Sequence, residues 1–168
     1  MMTMAPPVEK ILQKAFHFLE ENREKSDMGQ PKSEELIQKA EKILGLYFPP
    51  SYKEFLKCYG GGGFGSFEVD GILDSENLMA AGSPNMVWCT LNMRQYGFSS
   101  NFIRIADVGD GSYYCIDAST TDPNEERPVV WWNGWNATEI EAPTFADFLL
   151  KQIEMRLEWE KEEEGGQT

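Results

Sequence analysis

This 168-residue chain contains a single histidine, His17, and only 15 lysines and arginines against 28 acids. The shortage of bases argues against a nucleic-acid binder, because such proteins gather lysine and arginine on one face to meet phosphates. Anionic membranes are excluded on the same ground. A His-based triad or a histidine metal site would have to rest on this one residue, and His17, off the main apolar stripe of its helix, reads as a surface or partly packed residue. Three cysteines, Cys58, Cys89 and Cys115, form no CxxC pair and lie in apolar segments. They read as reduced thiols of a cytosolic compartment. No apolar run approaches a membrane span, and the N-terminus lacks a basic stretch followed by an apolar one. Cytoplasmic localisation is therefore expected. There is no GxSxG elbow, no HExxH and no internal repeat.

What is present is ordinary in bulk and skewed in charge. At 41% hydrophobic and 26% charged residues, the composition is that of one globular domain with a real core. The net charge of −13 is the departure. It would steer a basic partner toward the chain, or simply keep the chain soluble.

The most informative stretch is Leu46 to Gly63, LYFPPSYKEFLKCYGGGG. Pro50 stands where a first helical turn tolerates a missing N–H. Tyr52, Phe55, Leu56 and Tyr59 then fall at i, i+3, i+4 and i+7, one apolar face. Gly60 supplies a left-handed stop. The run Gly60–Gly65 invites a phosphate-loop reading, but its direction is wrong. Phosphate loops follow a strand and open a helix, whereas these glycines follow a helix and open a strand. A helix stop with a close backbone crossing is the cheaper explanation.

Elsewhere, periodicity predicts a helix over Val8–Arg23, a loop or linker over Ser26–Lys32, and a helix capped by Ser33 and ended by Gly45. A strand is expected over Phe67–Ile72, a short helix over Ser75–Ala81, and a longer helix from Ser83-Pro84 to about Tyr96 with Val87, Trp88 and Leu91 inward. Phe102–Ala106 and Ser112–Asp117 flank Asp110-Gly111 as a hairpin. Pro128–Trp132 and Ala137–Glu141 follow as strands. Thr144 and Asp147 form a capping pair that opens the last helix, whose stripe is Phe145, Phe148, Leu149, Ile153 and Leu157. The fold class expected is α+β: N-terminal helices, a central antiparallel sheet that meanders through a hairpin, and a C-terminal helix packed on it.

Two clusters bear on chemistry. Asp107, Asp110 and Asp117 form the densest carboxylate group, and DVGDG superficially resembles a calcium loop. The distal bidentate glutamate is missing, and strand ends plus a turn account for all three. In WWNGW, Trp131 and Trp132 must point to opposite sheet faces, and Trp135 lies in a glycine-containing turn. Beside Asp122, Glu125, Glu126, Glu139 and Glu141 these aromatics suit an anchored, steered binding surface. A two-sided core is the plainer account of the pair.

Four segments in order carry a resemblance. They are Glu35–Leu46; Phe48-Pro49-Pro50-Ser51-Tyr52 through Tyr59-Gly60-Gly61; Ile105-Ala106-Asp107-Val108-Gly109-Asp110-Gly111 leading to Tyr114–Asp117; and Pro128–Trp131 followed by Phe145–Leu149. Together they resemble the SUKH superfamily of Smi/Knr-type domains, over about Ser33 to Glu154. The resulting division is an N-terminal helical extension at 1–30, the SUKH-like domain at 31–157 and a disordered acidic tail at 158–168. The resemblance implies a non-catalytic binding domain with no cofactor or metal. Its bacterial members commonly act as immunity proteins that bind and neutralise a toxin, here a basic, nuclease-type one. Asp70, Asp110, Asp122, Glu125 and Glu126 are the expected partner-facing acids, with Trp132 or Trp135 as apolar anchor. A regulatory or scaffold module that binds endogenous proteins ranks second. A metal-dependent hydrolase built on Asp107, Asp110 and Asp117 ranks third.

Overall fold

The computed structural model describes residues 4–120 and 122–166. Five helices and seven strands alternate along it: α1 (Pro6–Glu21), β1 (Ser26–Met28), α2 (Glu34–Leu44), α3 (Pro50–Tyr59), β2 (Gly62–Phe64), β3 (Phe67–Val69), α4 (Met86–Arg94), β4 (Phe102–Asp107), β5 (Tyr113–Asp117), β6 (Val129–Trp132), β7 (Ala137–Ala142) and α5 (Phe145–Gly165). The class is α+β, as expected, but the strands form two antiparallel sheets. One runs β1-β2-β3 and the other is the meander β4-β5-β6-β7. They meet where the Asp70 N–H donates to the Ile105 carbonyl at 2.7 Å.

Local chemistry explains several helix ends. Ser33 caps α2 by accepting from the Leu36 N–H at 3.2 Å, and Gly45 closes it with φ of 71°. The Thr144 hydroxyl accepts from the Asp147 N–H at 3.1 Å and donates to that residue's carboxylate at 2.8 Å. This reciprocal pair fixes the start of α5. The α3 stripe is core: Tyr52, Phe55 and Leu56 are fully buried, and Tyr52 and Phe55 sit 5.0 and 5.3 Å from the Phe145 ring of α5. On α5, Phe148 packs edge-on against Phe67 of β3 at 5.7 Å and Tyr114 of β5 at 5.1 Å. One helix thereby clasps both sheets. On the opposite face of the meander, Met93 and Phe98 cover Cys115, Val130 and Trp132.

The glycine run behaves as a stop and a crossing. Gly60 ends α3 with φ of 75°. The Ile72 N–H donates to its carbonyl at 2.7 Å, so the segment after β3 lies directly across it.

Four expectations differ from the structure. Residues 26–28, read as loop, pair with β2 in antiparallel register, because the exposed edge of β2 offers backbone partners that a polar sequence does not advertise. Residues 75–81 form no helix. The Asp74 carboxylate accepts the Glu76 and Asn77 N–H groups at 2.9 and 3.0 Å, and the Asn85 amide donates to the Leu78 and Ala80 carbonyls. Such side-chain bonds compete with helical ones. The next helix accordingly starts at Met86, not at Ser83, with Val87 buried and Trp88 and Leu91 half-buried. Finally, α5 does not stop at Leu157 but runs to Gly165. Lys25 pairs with Glu160, and the Arg156 guanidinium lies 4.9 Å from the Phe67 ring and 5.1 Å from the Trp159 ring. Residues 158–165 are therefore helical where a disordered tail is expected. At the other end α1 is seated on α5, with Lys14 and Glu154 3.6 Å apart. Among the described residues no helix is long and apolar enough to cross a membrane.

Candidate functional site

Antiparallel pairing sorts the loops of the meander by end. The β4–β5 and β6–β7 connections emerge together, and the β5–β6 connection emerges at the far end. At the first end the backbones of the two loops nearly touch: a methyl placed on Gly134 would lie 3.7 Å from the Gly111 carbonyl oxygen. Asp107, Val108, Asp110 and Trp135 are all exposed there, Trp135 to 86%. Asp107 accepts from the Gly109 N–H at 2.8 Å, and Asp110 from the Ser112 N–H at 3.0 Å. These bonds hold the loop in shape, and Ser112 keeps the Asp110 carboxyl below its ordinary range. The structure thus joins two of the sequence-proposed residues, Asp110 and Trp135, on a pair of adjacent loops.

At the far end lie Asp122, Glu125 and Glu126. The first two are exposed. Asp122 accepts from the Asn124 N–H at 2.9 Å, and Glu125 accepts from the Thr120 hydroxyl at 3.0 Å and stands 3.8 Å from Arg127. Glu126 is different. Its carboxylate takes the Ser51 N–H at 2.7 Å and the Ser51 hydroxyl at 2.8 Å, capping the first turn of α3 from 75 residues away. Burial raises its carboxyl while the two Ser51 bonds oppose that rise. It is a structural cap and not a free partner-facing acid. Glu126→Ala should cost about 1–2 kcal/mol of stability, read as a lower denaturant midpoint. An unchanged midpoint would show that the cap contributes nothing. Bases also occupy this end: Pro123 borders a groove of about 470 Å³ whose walls include Lys42, Tyr47 and Lys53.

Two further expectations are corrected. Asp70 is 2% exposed, and its carboxylate lies 2.9 Å from the Arg104 Nε, so it meets no partner. Trp132 is 8% exposed, edge-on to Phe98 at 5.2 Å, and belongs to the core under α4. Trp131 is half-buried on the other face. Apolar packing inside the sheet claims the larger share of WWNGW and leaves Trp135 alone as an anchor.

The three aspartates of the metal reading do not converge. Asp107 pairs with Tyr113 and Asp117 with Phe102, at opposite ends of the β4–β5 hairpin. Among the described residues no three His, Cys, Asp or Glu side chains are placed to hold a metal ion. His17 is exposed and faces Glu21 at 3.1 Å. Cys58 is half-buried, Cys89 and Cys115 are buried, and all three are free. The edge strand β7 carries Glu139 and Glu141, and its register with β6 shifts twice. Charges and bulges of this kind blunt an edge against strand addition, although Ile140 is 68% exposed.

Sequence reasoning missed Arg104. Its guanidinium also donates to the Ser83 hydroxyl oxygen at 3.0 Å and lies 4.7 Å from the Tyr113 ring. A basic residue in the middle of the mostly apolar strand FIRIAD was the available signal. No signal linked Glu126 to Ser51.

The geometry defines a class: an α+β domain in which helices clasp two antiparallel sheets and the candidate residues stand on loop tips. A family model, SUKH_5, described as SMI1-KNR4 cell-wall, matches residues 9–154. The chain belongs to this SMI1-KNR4 family of the SUKH superfamily. The match begins inside α1, so it takes in most of the helix assigned from sequence to an N-terminal extension. Among solved structures, a protein from Pseudomonas syringae pv. tomato superposes with a TM-score of 0.60 at 19% identity, covering 79% of this chain and 93% of that one. At that identity the likeness is one of fold.

Proposed function

We propose that the chain is a non-catalytic protein-binding domain, an immunity protein that docks on a basic, nuclease-type bacterial toxin and neutralises it. The observation that carries this reading is Trp135, 86% exposed on a loop that lies beside the one carrying Asp107 and Asp110, in a chain of net charge −13. A large aromatic on an ordered loop offers contact area at low entropic cost. Flanking acids draw in a partner whose cleft is built to hold phosphates. Family membership supports a binding role of this general kind.

The test is association with a basic, nuclease-type toxin domain, sought first among the neighbouring genes, measured as rates across a salt series. Trp135→Ala should leave stability within about 0.5 kcal/mol and weaken binding by roughly 30-fold, the scale of a central anchor. Asp110→Lys should slow association most at low salt. Rates that do not change with salt would remove the steering argument, and full affinity of Trp135→Ala would remove the anchor. The family description names the cell wall, which keeps the scaffold reading in second place. A stable complex with an endogenous protein, and no toxin beside the gene, would put it first.

A further inference from the structure

Met4, α1 and α3 line a groove of about 470 Å³. Its apolar walls include Leu12 and Phe16 of α1, and Phe16 is braced edge-on by Tyr59 at 5.1 Å. Glu9 borders the groove from α1 and Glu54 from α3, with Cys58 beneath Glu54. The Cys58 thiol reaches the Glu54 carboxylate at 3.7 Å, and burial followed by that charge holds the thiol above its ordinary range.

Among the described residues no lysine or arginine lies within 4 Å of Glu9 or Glu54, and the nearest bond to Glu9 is the neutral Gln13 amide at 3.4 Å. Three lysines on these helices pair elsewhere. Lys14 faces Glu154, Lys53 faces Glu41 and Lys57 faces Glu34. An apolar trough bordered by two uncompensated carboxylates matches one kind of side chain: a hydrocarbon stem that ends in a positive charge. Each carboxylate keeps acceptor capacity that a guanidinium or ammonium satisfies with charge-assisted bonds.

We propose that this groove is a docking subsite for a lysine or arginine side chain presented by the basic protein partner. The stem would lie against Leu12 and Phe16, and the cationic head between Glu9 and Glu54. The subsite lies on the helical layer, apart from the loop pair that carries Trp135. The partner would therefore grip the domain at two places. The proposal rests on the reading of the chain as a binder of a basic protein, and its test separates the two.

Cys58 reports on the groove. Two methanethiosulfonate reagents, one carrying a trimethylammonium group and the other a sulfonate, modify it by thiolate attack on the thiosulfonate sulfur. A mixed disulfide forms and methanesulfinate leaves. The rate at Cys58 is read by peptide mass mapping, which separates it from the buried Cys89 and Cys115. The ratio of cationic to anionic rates should fall at least ~10-fold in the Glu9→Gln/Glu54→Gln chain. The Asp107→Asn/Asp110→Asn chain, with the same net charge, should keep the parent ratio. Equal falls in both variants would mean that only overall charge is felt and would overturn the proposal, as would no fall in either. In the complex with the toxin domain, Cys58 should react with the cationic reagent at least ~10-fold more slowly than in the free chain. A complex that leaves Cys58 at its free rate overturns the groove and spares the functional reading. No complex, with the rate ratio intact, overturns the functional reading and leaves the groove selective for cations.

Discussion

Gly71→Ala is expected to destabilise this domain more than any other single methyl addition along its glycine-rich crossing. A Cβ at this position would lie 1.9 Å from the Gly60 carbonyl oxygen, 2.7 Å from the Gly61 Cα and 2.8 Å from the Gly60 carbonyl carbon. All three atoms are backbone, so no rotamer change relieves the clash. The neighbouring bonds resist any shift. The Gly71 N–H donates to Pro84, its carbonyl accepts from Met86, and Ile72 donates to Gly60. Parting the strands would break contacts that join α3, the three-stranded sheet and the start of α4. The cost should reach about 3 kcal/mol or more, lowering the thermal midpoint by roughly 10 °C for a chain of this size. Gly45→Ala is the control. It also places a side chain at positive φ, but nothing lies within 4 Å of the added methyl, so it should cost only about 1 kcal/mol. Equal midpoints for the two variants would show that the crossing is no tighter than an ordinary helix cap.

This contrast also marks how far the sequence could be read. Gly60 was legible because a helix stop is local: an apolar stripe followed by glycine. Gly71 was not, because its role depends on a strand that returns over residues eleven positions earlier. The same division runs through the rest of the molecule. Caps at Ser33 and Thr144 and the hairpin after Ala106 depend on neighbours in sequence and appear where spacing placed them. The partition of seven strands into two sheets depends on long-range pairing, and β1 emerges from a polar stretch with no strand pattern. At the candidate site, charge and aromatic content named residues but said nothing of their exposure. Asp70 and Asp110 look alike in sequence. One is interior because an apolar strand carries Arg104 toward it, and the other is free because a hairpin tip projects it. The groove between Glu9 and Glu54 joins residues forty-five apart, which no local pattern relates.

The Asp70–Arg104 pair makes the second large expectation, in the response of stability to pH. Burial drives the Asp70 carboxyl up from its ordinary 3.8 to about 7, against the pull of the Arg104 guanidinium 2.9 Å away. In the unfolded chain the same group releases its proton near 4. Between these values the folded state holds a proton that the unfolded state has lost, so stability falls as pH rises. This contribution is fully present below about pH 4, is lost across pH 4 to 7, and is flat above. The drop amounts to a few kcal/mol at most, since each pH unit separating the folded and unfolded titrations is worth about 1.4 kcal/mol and the pair shares its charge. Arg104→Met removes the cation, its Ser83 bond and its stacking on Tyr113, and strands a buried carboxylate. At pH 8 that should cost about 3–5 kcal/mol. At pH 5 the cost should be smaller, because a protonated Asp70 needs no counter-charge. Asp70→Asn, which cannot ionise, should flatten the slope between pH 5 and pH 8. Denaturant titrations of the three proteins at both pH values decide the matter. An Arg104→Met penalty equal at pH 5 and pH 8 would mean that Asp70 carries the same charge throughout, and that the junction between the two sheets is held by a permanent ion pair.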